Sequence, residues 1–111
     1  MSTNRIATYK EFFPFYLREH SKKLTRGLHY TGTSIALALL AWTIATQTWW
    51  ALPFYPVIGY GFAWYAHFFV EHNRPATFTY PLWSLAGDHH MFALFLSGGL
   101  KKRLGEAGVL V

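Results

Sequence analysis

The sequence contains no cysteine, and this absence excludes several kinds of chemistry. A disulfide framework, an iron–sulfur cluster and a thiolate nucleophile all require cysteine sulfur. Any metal site in this chain must therefore be built from nitrogen and oxygen donors. The sequence offers six histidines and five acidic residues for that purpose.

Charge is also scarce: 14% of the residues are charged, whereas 52% are hydrophobic and 20% are aromatic. A typical globular domain has about 25% charged residues. No Asp, Glu, Lys or Arg occurs between Gly27 and Val70, a stretch long enough for two membrane spans of about 20 residues each. A soluble helical bundle would need polar helix faces, which these segments lack. The composition therefore predicts an all-α integral membrane helical bundle that forms one domain, residues 1–111.

The order of apolar and polar stretches predicts five segments. They are an N-terminal interfacial amphipathic helix (7–21), two full spans (29–47 and 53–73), a broken or re-entrant hydrophobic segment (82–100) and a basic tail (101–111). Trp49 and Trp50 lie in the turn between the spans, where an interfacial aromatic belt is expected. We expect a kink at Gly87–His90, because an aspartate near the bilayer centre costs about 2.5–3.5 kcal/mol. A plain third crossing is the alternative for this segment.

The net charge of +5 has an explanation that does not involve nucleic acid. The basic residues flank the apolar segments, as expected for cytoplasmic anchoring by the positive-inside rule. No uninterrupted apolar core precedes residue 27, so we expect no cleaved signal peptide. The predicted location is the inner membrane of a bacterium or the endoplasmic reticulum of a eukaryote. The flanking basic residues are Arg18, Lys22, Lys23, Arg26, Arg74, Lys101, Lys102 and Arg103.

The segment HFFVEHNRPA, residues 67–76, places several polar groups at the end of the second predicted span. On a helix, His67 and Glu71 are one turn apart and share a face. The same row contains Gly59 and Ala63, whose small side chains would let another helix approach closely. Arg74 precedes a proline, so we expect the helix to fray by residue 73. An ion pair between Glu71 and Arg74 is an alternative reason for the carboxylate.

His20 and His29 are the expected partners of His67. On one continuous helix they would lie on opposite sides, so we expect a chain break between them, at Ser21 and Gly27. The three histidines and the nearby carboxylate would then meet at one membrane face. Such a donor set suits Fe(II), Mn or Zn, and open coordination positions suit non-haem iron oxygen chemistry. Each histidine could instead be a hydrogen-bonded interfacial residue, and His89 and His90 could join the cluster if residues 82–100 fold back.

The segments EFFPFYLREH, HYTGT and GYGFAWYAHFFVEHNRPATFTYPLWSLAGD resemble the Mpo1-like family. The resemblance extends from about residue 8 to residue 100. It implies a membrane-bound Fe(II)-dependent dioxygenase that shortens 2-hydroxy fatty acids by one carbon, as the eukaryotic founder of the family does in α-oxidation. The resemblance also implies that the family's histidines correspond to His20, His29 and His67, its acidic residue to Glu71 and its proline to Pro75. Other histidines, which depart from the family pattern, are possible additional ligands: His72, His89 and His90.

Together these observations give a mechanistic hypothesis. Fe(II) is bound by His20, His29 and His67, and Glu71 is either a further ligand or an acceptor that orients an imidazole. The partners are O₂, membrane lipid and a 2-hydroxy fatty acid, whose carboxylate Arg74 would bind. We expect the acyl tail to lie among aromatic side chains, and a homo-oligomer is possible. The aromatic residues expected around the tail are Phe62, Trp64 and Phe68.

Three other functions are considered. A bis-histidine haem protein would use two of these histidines as axial ligands. A non-catalytic membrane scaffold or lipid-binding protein would need no metal. The di-iron desaturase and hydroxylase class is disfavoured, because the chain has six histidines and lacks the HxxxH and HxxHH clusters of that class.

Overall fold

The computed structural model describes residues 6–109, and the regular elements in this range are all helical. The prediction of an all-α fold is confirmed. Residues 1–5 and 110–111 of the predicted domain lie outside the described range, and the last two of these belong to the predicted basic tail. The α-helices are α1 (Tyr9–Arg18), α2 (Lys23–Thr46), α3 (Phe54–Ala66), α4 (Pro81–Ser97) and α5 (Leu100–Glu106). Two 3₁₀ turns (Trp49–Ala51 and Ala76–Phe78) and one π-helical turn (His67–Glu71) complete the helical structure.

Helix α1 begins at a side-chain cap and buries one apolar face. The Thr8 hydroxyl accepts a hydrogen bond from the Glu11 N–H at 3.2 Å, which satisfies one of the unpaired donors of the first turn. The apolar face packs against α4 and α5 and is 0–1% exposed. Other helices of the same unit cover this face, and the interfacial location of the helix stays a prediction. The residues of this face are Phe12, Phe13, Tyr16 and Leu17.

Helix α2 contains most of the first predicted span but begins earlier, at Lys23. The chain break expected between His20 and His29 lies at residues 19–22, whereas Gly27 is inside the helix. Among the helices in the described range, α2 alone is long and apolar enough to cross a bilayer. Two full spans therefore stay a prediction.

The second predicted span, residues 53–73, consists of two different kinds of helix. Helix α3 ends at Ala66, and residues His67–Glu71 form a π-helical turn. His72 follows in the left-handed region, with φ 59°, and ends the helical structure. π-Helical turns widen a helix locally and often occur at functional sites.

Helix α4 passes through residues 87–90 without a break, so the predicted kink is wrong. The break lies further on, where Gly98 adopts φ 86° and Gly99 precedes α5. The physical reason is that Asp88 accepts a hydrogen bond from the Tyr16 hydroxyl, which satisfies this polar group inside a regular helix. The predicted basic tail contributes most of α5.

The helices form two compact units. The first unit contains α1, α4 and α5, in residues up to Ser21 and from Ala76 onward. The second unit, Lys22–Pro75, contains α2 and α3. In the second unit, an added Cβ on Gly32 would come within 2.6 Å of the Phe62 Cβ, so the absent side chain allows α2 to pack closely against α3.

Candidate metal centre

Three buried histidines come together from separate parts of the chain. His20 follows the end of α1, His29 lies in the second turn of α2, and His67 begins the π-helical turn. Each is 1–3% exposed. One ring nitrogen of each lies within 4.8 Å of a ring nitrogen of the other two. These three histidines could therefore bind a metal ion.

The Nδ1 atom of each ring is engaged by an oxygen acceptor. His20 Nδ1 lies 2.6 Å from the Tyr16 carbonyl oxygen, and His29 Nδ1 lies 2.9 Å from the Thr25 carbonyl oxygen. Because a carbonyl oxygen can only accept, Nδ1 must carry the proton in both rings. Nε2 then keeps its lone pair for a ligand. Metal-binding histidines are characteristically oriented by an acceptor of this kind at the second ring nitrogen.

His67 is oriented by a side chain instead of a backbone carbonyl. Its Nδ1 lies 2.7 Å from Asn73 Oδ1, and the Asn73 N–H donates to the His67 carbonyl oxygen at 2.9 Å. Asn73 therefore holds both the backbone and the ring of this histidine. Sequence reasoning missed this role, although an amide two residues before Pro75, where a helix must end, is a recognisable capping signal.

The rings of His29 and His67 meet edge to face, with centroids 5.2 Å apart and an interplanar angle of 85°. The predicted row of small residues contributes only partly to their approach. Ala63 is 4% exposed, but an added Cβ on Gly59 would meet nothing within 4 Å. The close approach of α2 to α3 depends on Gly32, which the sequence analysis did not identify.

Glu71 contacts the beginning of α2. Its carboxylate accepts hydrogen bonds from the Lys22 N–H at 2.5 Å and the Thr25 hydroxyl at 2.9 Å. A carboxylate at this position satisfies unpaired N-terminal donors and interacts favourably with the helix dipole. The cluster of three histidines does not include Glu71. Since the Thr25 carbonyl accepts from His29, Glu71 stabilises the helical turn that holds that ring.

The other predicted site residues lie outside this cluster within the described range. His72 and Arg74 are exposed and follow the π-helical turn. His89 Nδ1 lies 2.9 Å from the Leu85 carbonyl oxygen. His90 Nδ1 lies 2.9 Å from the Tyr9 hydroxyl on α1, so each of the α4 histidines has a hydrogen-bond partner outside the cluster.

An apolar groove of about 460 Å³ lies between α2 and α3. Of the three aromatic residues expected around a lipid tail, Phe62 lines this groove, whereas Trp64 and Phe68 are not among the lining residues; the lipid tail itself stays a prediction. One of its lining residues, Leu28, precedes His29 in the sequence. The lining residues are Leu28, Val57, Ile58, Gly61, Phe62 and Tyr65.

Comparison with known protein families gives a match over most of the chain. The family model described as 2-hydroxy-palmitic acid dioxygenase Mpo1-like matches residues 6–100, a range that contains all three clustered histidines. No curated protein and no solved structure matches the chain. Because the family model covers most of the sequence, this chain belongs to the Mpo1-like family.

Proposed function

We propose that the protein is an Fe(II)-dependent dioxygenase that shortens 2-hydroxy fatty acids by one carbon in a membrane. The observation that carries the proposal is the cluster of three buried histidines, each with Nδ1 engaged by an acceptor. The description of the family supplies the substrate class. The geometry and the family thus support the same chemistry from independent directions.

His20, His29 and His67 would hold the metal through Nε2. Three nitrogen donors without sulfur are compatible with Fe(II), and three protein ligands leave coordination positions for small molecules. A ferrous ion bound there would supply sites for O₂ and for the substrate's hydroxyl and carboxylate groups, and electrons for O₂ activation. The protein's own contribution is to fix the three imidazoles before the ion binds, through the Nδ1 hydrogen bonds.

The apolar groove between α2 and α3 would hold the acyl tail. Its lining is almost entirely hydrocarbon and aromatic, as expected for a site that takes a lipid chain. The exposed guanidinium of Arg74 would pair with the substrate carboxylate. Glu71 would act indirectly, by stabilising the turn of α2 that contains His29.

The surface of the second unit supports a membrane location. Large apolar side chains remain exposed along α2, α3 and the turn between them, and exposed patches of this kind mark membrane or protein contacts. We propose an integral membrane protein with cytoplasmic basic flanks. Examples of these side chains are Trp42 (47% exposed), Trp49 (55%), Trp50 (71%), Phe54 (51%) and Val57 (62%).

The same geometry disfavours the haem alternative. A bis-histidine haem has its two axial nitrogens on opposite sides of a planar macrocycle, which fills the space around the iron. In this protein a third ring nitrogen lies within 4.8 Å of both partners, in the region that the macrocycle would occupy. The proposed cofactor is therefore a non-haem metal ion.

The proposal is tested with detergent-purified protein, loaded anaerobically with Fe(II) and then given O₂ and 2-hydroxypalmitic acid. We expect mass spectrometry to show a product one carbon shorter, and no such product from palmitic acid, which lacks the hydroxyl. The variant His67→Ala should be inactive, whereas His89→Ala should remain active. Absence of the shortened product from iron-loaded wild type would contradict the proposed activity.

A further inference from the structure

Tyr16 connects His20 to a carboxyl group on another helix of the first unit. The Tyr16 ring stacks on the His20 ring, with centroids 4.1 Å apart and an interplanar angle of 28°. The Tyr16 carbonyl oxygen accepts from His20 Nδ1, and the Tyr16 hydroxyl donates to Asp88. Tyr16 therefore contacts the His20 imidazole through its ring and its carbonyl oxygen, and it contacts the Asp88 carboxyl group through its hydroxyl.

The Tyr16 ring is confined on several sides. The ring is 1% exposed and stacks on Phe13 at 5.8 Å with an interplanar angle of 11°. On the α4 side, an added Cβ on Gly87 would lie 3.0 Å from Tyr16 Cδ2. Helix α4 thus offers adjacent features to this ring: space at Gly87 and a hydrogen-bond acceptor at Asp88.

We propose that Asp88 is a positioning residue of the metal site, which acts through Tyr16 to fix the orientation of the His20 imidazole. This inference rests on the proposed function, because it assumes that His20 binds a metal. Asp88 fixes the hydroxyl end of the Tyr16 ring, and the face of that ring supports the imidazole. Loss of the hydroxyl contact lets the ring, and with it the ligand nitrogen, vary in position.

The acceptor role of Asp88 does not depend on a permanent charge. Both the neutral and the ionised carboxyl group can accept from a hydroxyl. An asparagine at this position keeps a carbonyl acceptor without the charge, so it is the conservative replacement.

The test measures Co²⁺ binding, because Co²⁺ reports coordination geometry through its visible absorption. Four variants are compared with the wild type: Tyr16→Phe, Asp88→Leu, Asp88→Asn and Ser84→Ala. Tyr16→Phe keeps the ring but removes the hydroxyl, and Asp88→Leu removes the acceptor. Ser84 is a matched control, since it is 3% exposed on the same helix and its hydroxyl has no hydrogen-bond partner among residues 6–109.

We expect Tyr16→Phe and Asp88→Leu to raise the Co²⁺ dissociation constant about 10- to 100-fold and to shift the absorption bands. Asp88→Asn and Ser84→Ala should bind like the wild type. If Asp88→Leu does not fold, Tyr16→Phe decides alone, since it adds no volume. Wild-type affinity and spectrum in Tyr16→Phe would overturn the positioning role and leave the proposed function standing. Failure of the wild type to bind Co²⁺ would overturn both.

Discussion

The two units of the protein are stabilised by different kinds of packing. In the first unit the buried side chains include large aromatic and aliphatic ones, and the four on α1 are 0–1% exposed. In the second unit the buried positions of α2 and α3 are small or polar, and most of the exposed large apolar side chains of the protein lie there. The buried residues of α2 and α3 include Gly32, Thr33, Ala36, Thr43, Ala63 and Ala66.

This difference concerns how each unit shields its apolar surface from water. Large apolar side chains that are covered by other helices are typical of proteins that bury their apolar surface internally. Small residues between helices, with large apolar side chains facing outward, are typical of helices packed within a bilayer. If the protein is in a membrane, as proposed, we expect lipid contact mainly at the second unit.

The largest effect is expected from truncating the core of the first unit. Phe12 is fully buried, and its ring lies 5.3–5.9 Å from the rings of Tyr16, Tyr80 and Trp83. Phe12→Ala should lower the free energy of unfolding by about 3–5 kcal/mol. The matched control is Phe69→Ala in the second unit, whose ring is 67% exposed and whose loss should change stability by less than about 0.5 kcal/mol in detergent. Denaturant unfolding of both variants measures this; equal losses would break the comparison.

A smaller effect is expected from adding a methyl group to the second unit. Gly32→Ala would bring a Cβ to within 2.6 Å of the Phe62 Cβ, so α2 and α3 must separate, at a cost of about 1–3 kcal/mol. Gly59→Ala is the control, because its Cβ would meet nothing within 4 Å. It should be neutral or stabilising by up to about 1 kcal/mol, since alanine favours the helix. Thermal unfolding in detergent distinguishes the two, and equal melting temperatures would contradict close packing at Gly32.

The smallest effect is expected at Glu71, and it separates a helix cap from a metal ligand. Glu71→Gln keeps an acceptor for the Lys22 N–H and the Thr25 hydroxyl, so iron content should match the wild type. Glu71→Ala removes the acceptor and should cost about 1 kcal/mol of stability. Iron analysis and thermal unfolding of both variants provide the measurement. Loss of iron in Glu71→Gln, with the fold intact, would identify the carboxylate as a ligand.

The sequence allowed prediction of the helical class and of the grouping of the three histidines, because hydrophobic runs and polar residues beside them are local signals. Their role as metal ligands stays a prediction. The sequence did not allow prediction of the continuous α4. Asp88 was expected to break the helix, and only tertiary structure supplies the Tyr16 hydroxyl that satisfies it. The sequence also showed the amphipathic face of α1, but it did not show that other helices cover this face.

The residues that support the positions of the three clustered histidines were the least predictable. Asn73 and Gly32 act through contacts with groups that are distant in sequence or reached by an irregular turn. The π-helical turn at residues 67–71 was not predicted from the sequence either. His67 contacts Asn73 there, whereas Glu71 contacts Lys22 and Thr25.

The central claim is that His20, His29 and His67 together hold one metal ion, and metal analysis tests it most directly. Detergent-purified protein is reconstituted anaerobically with Fe(II), and bound iron is measured for the wild type, each single His→Ala variant of the three, and His89→Ala. The account predicts stoichiometric iron in the wild type and in His89→Ala, and a near-complete loss in each of the other variants. Full iron occupancy in any one of those three folded variants would contradict it.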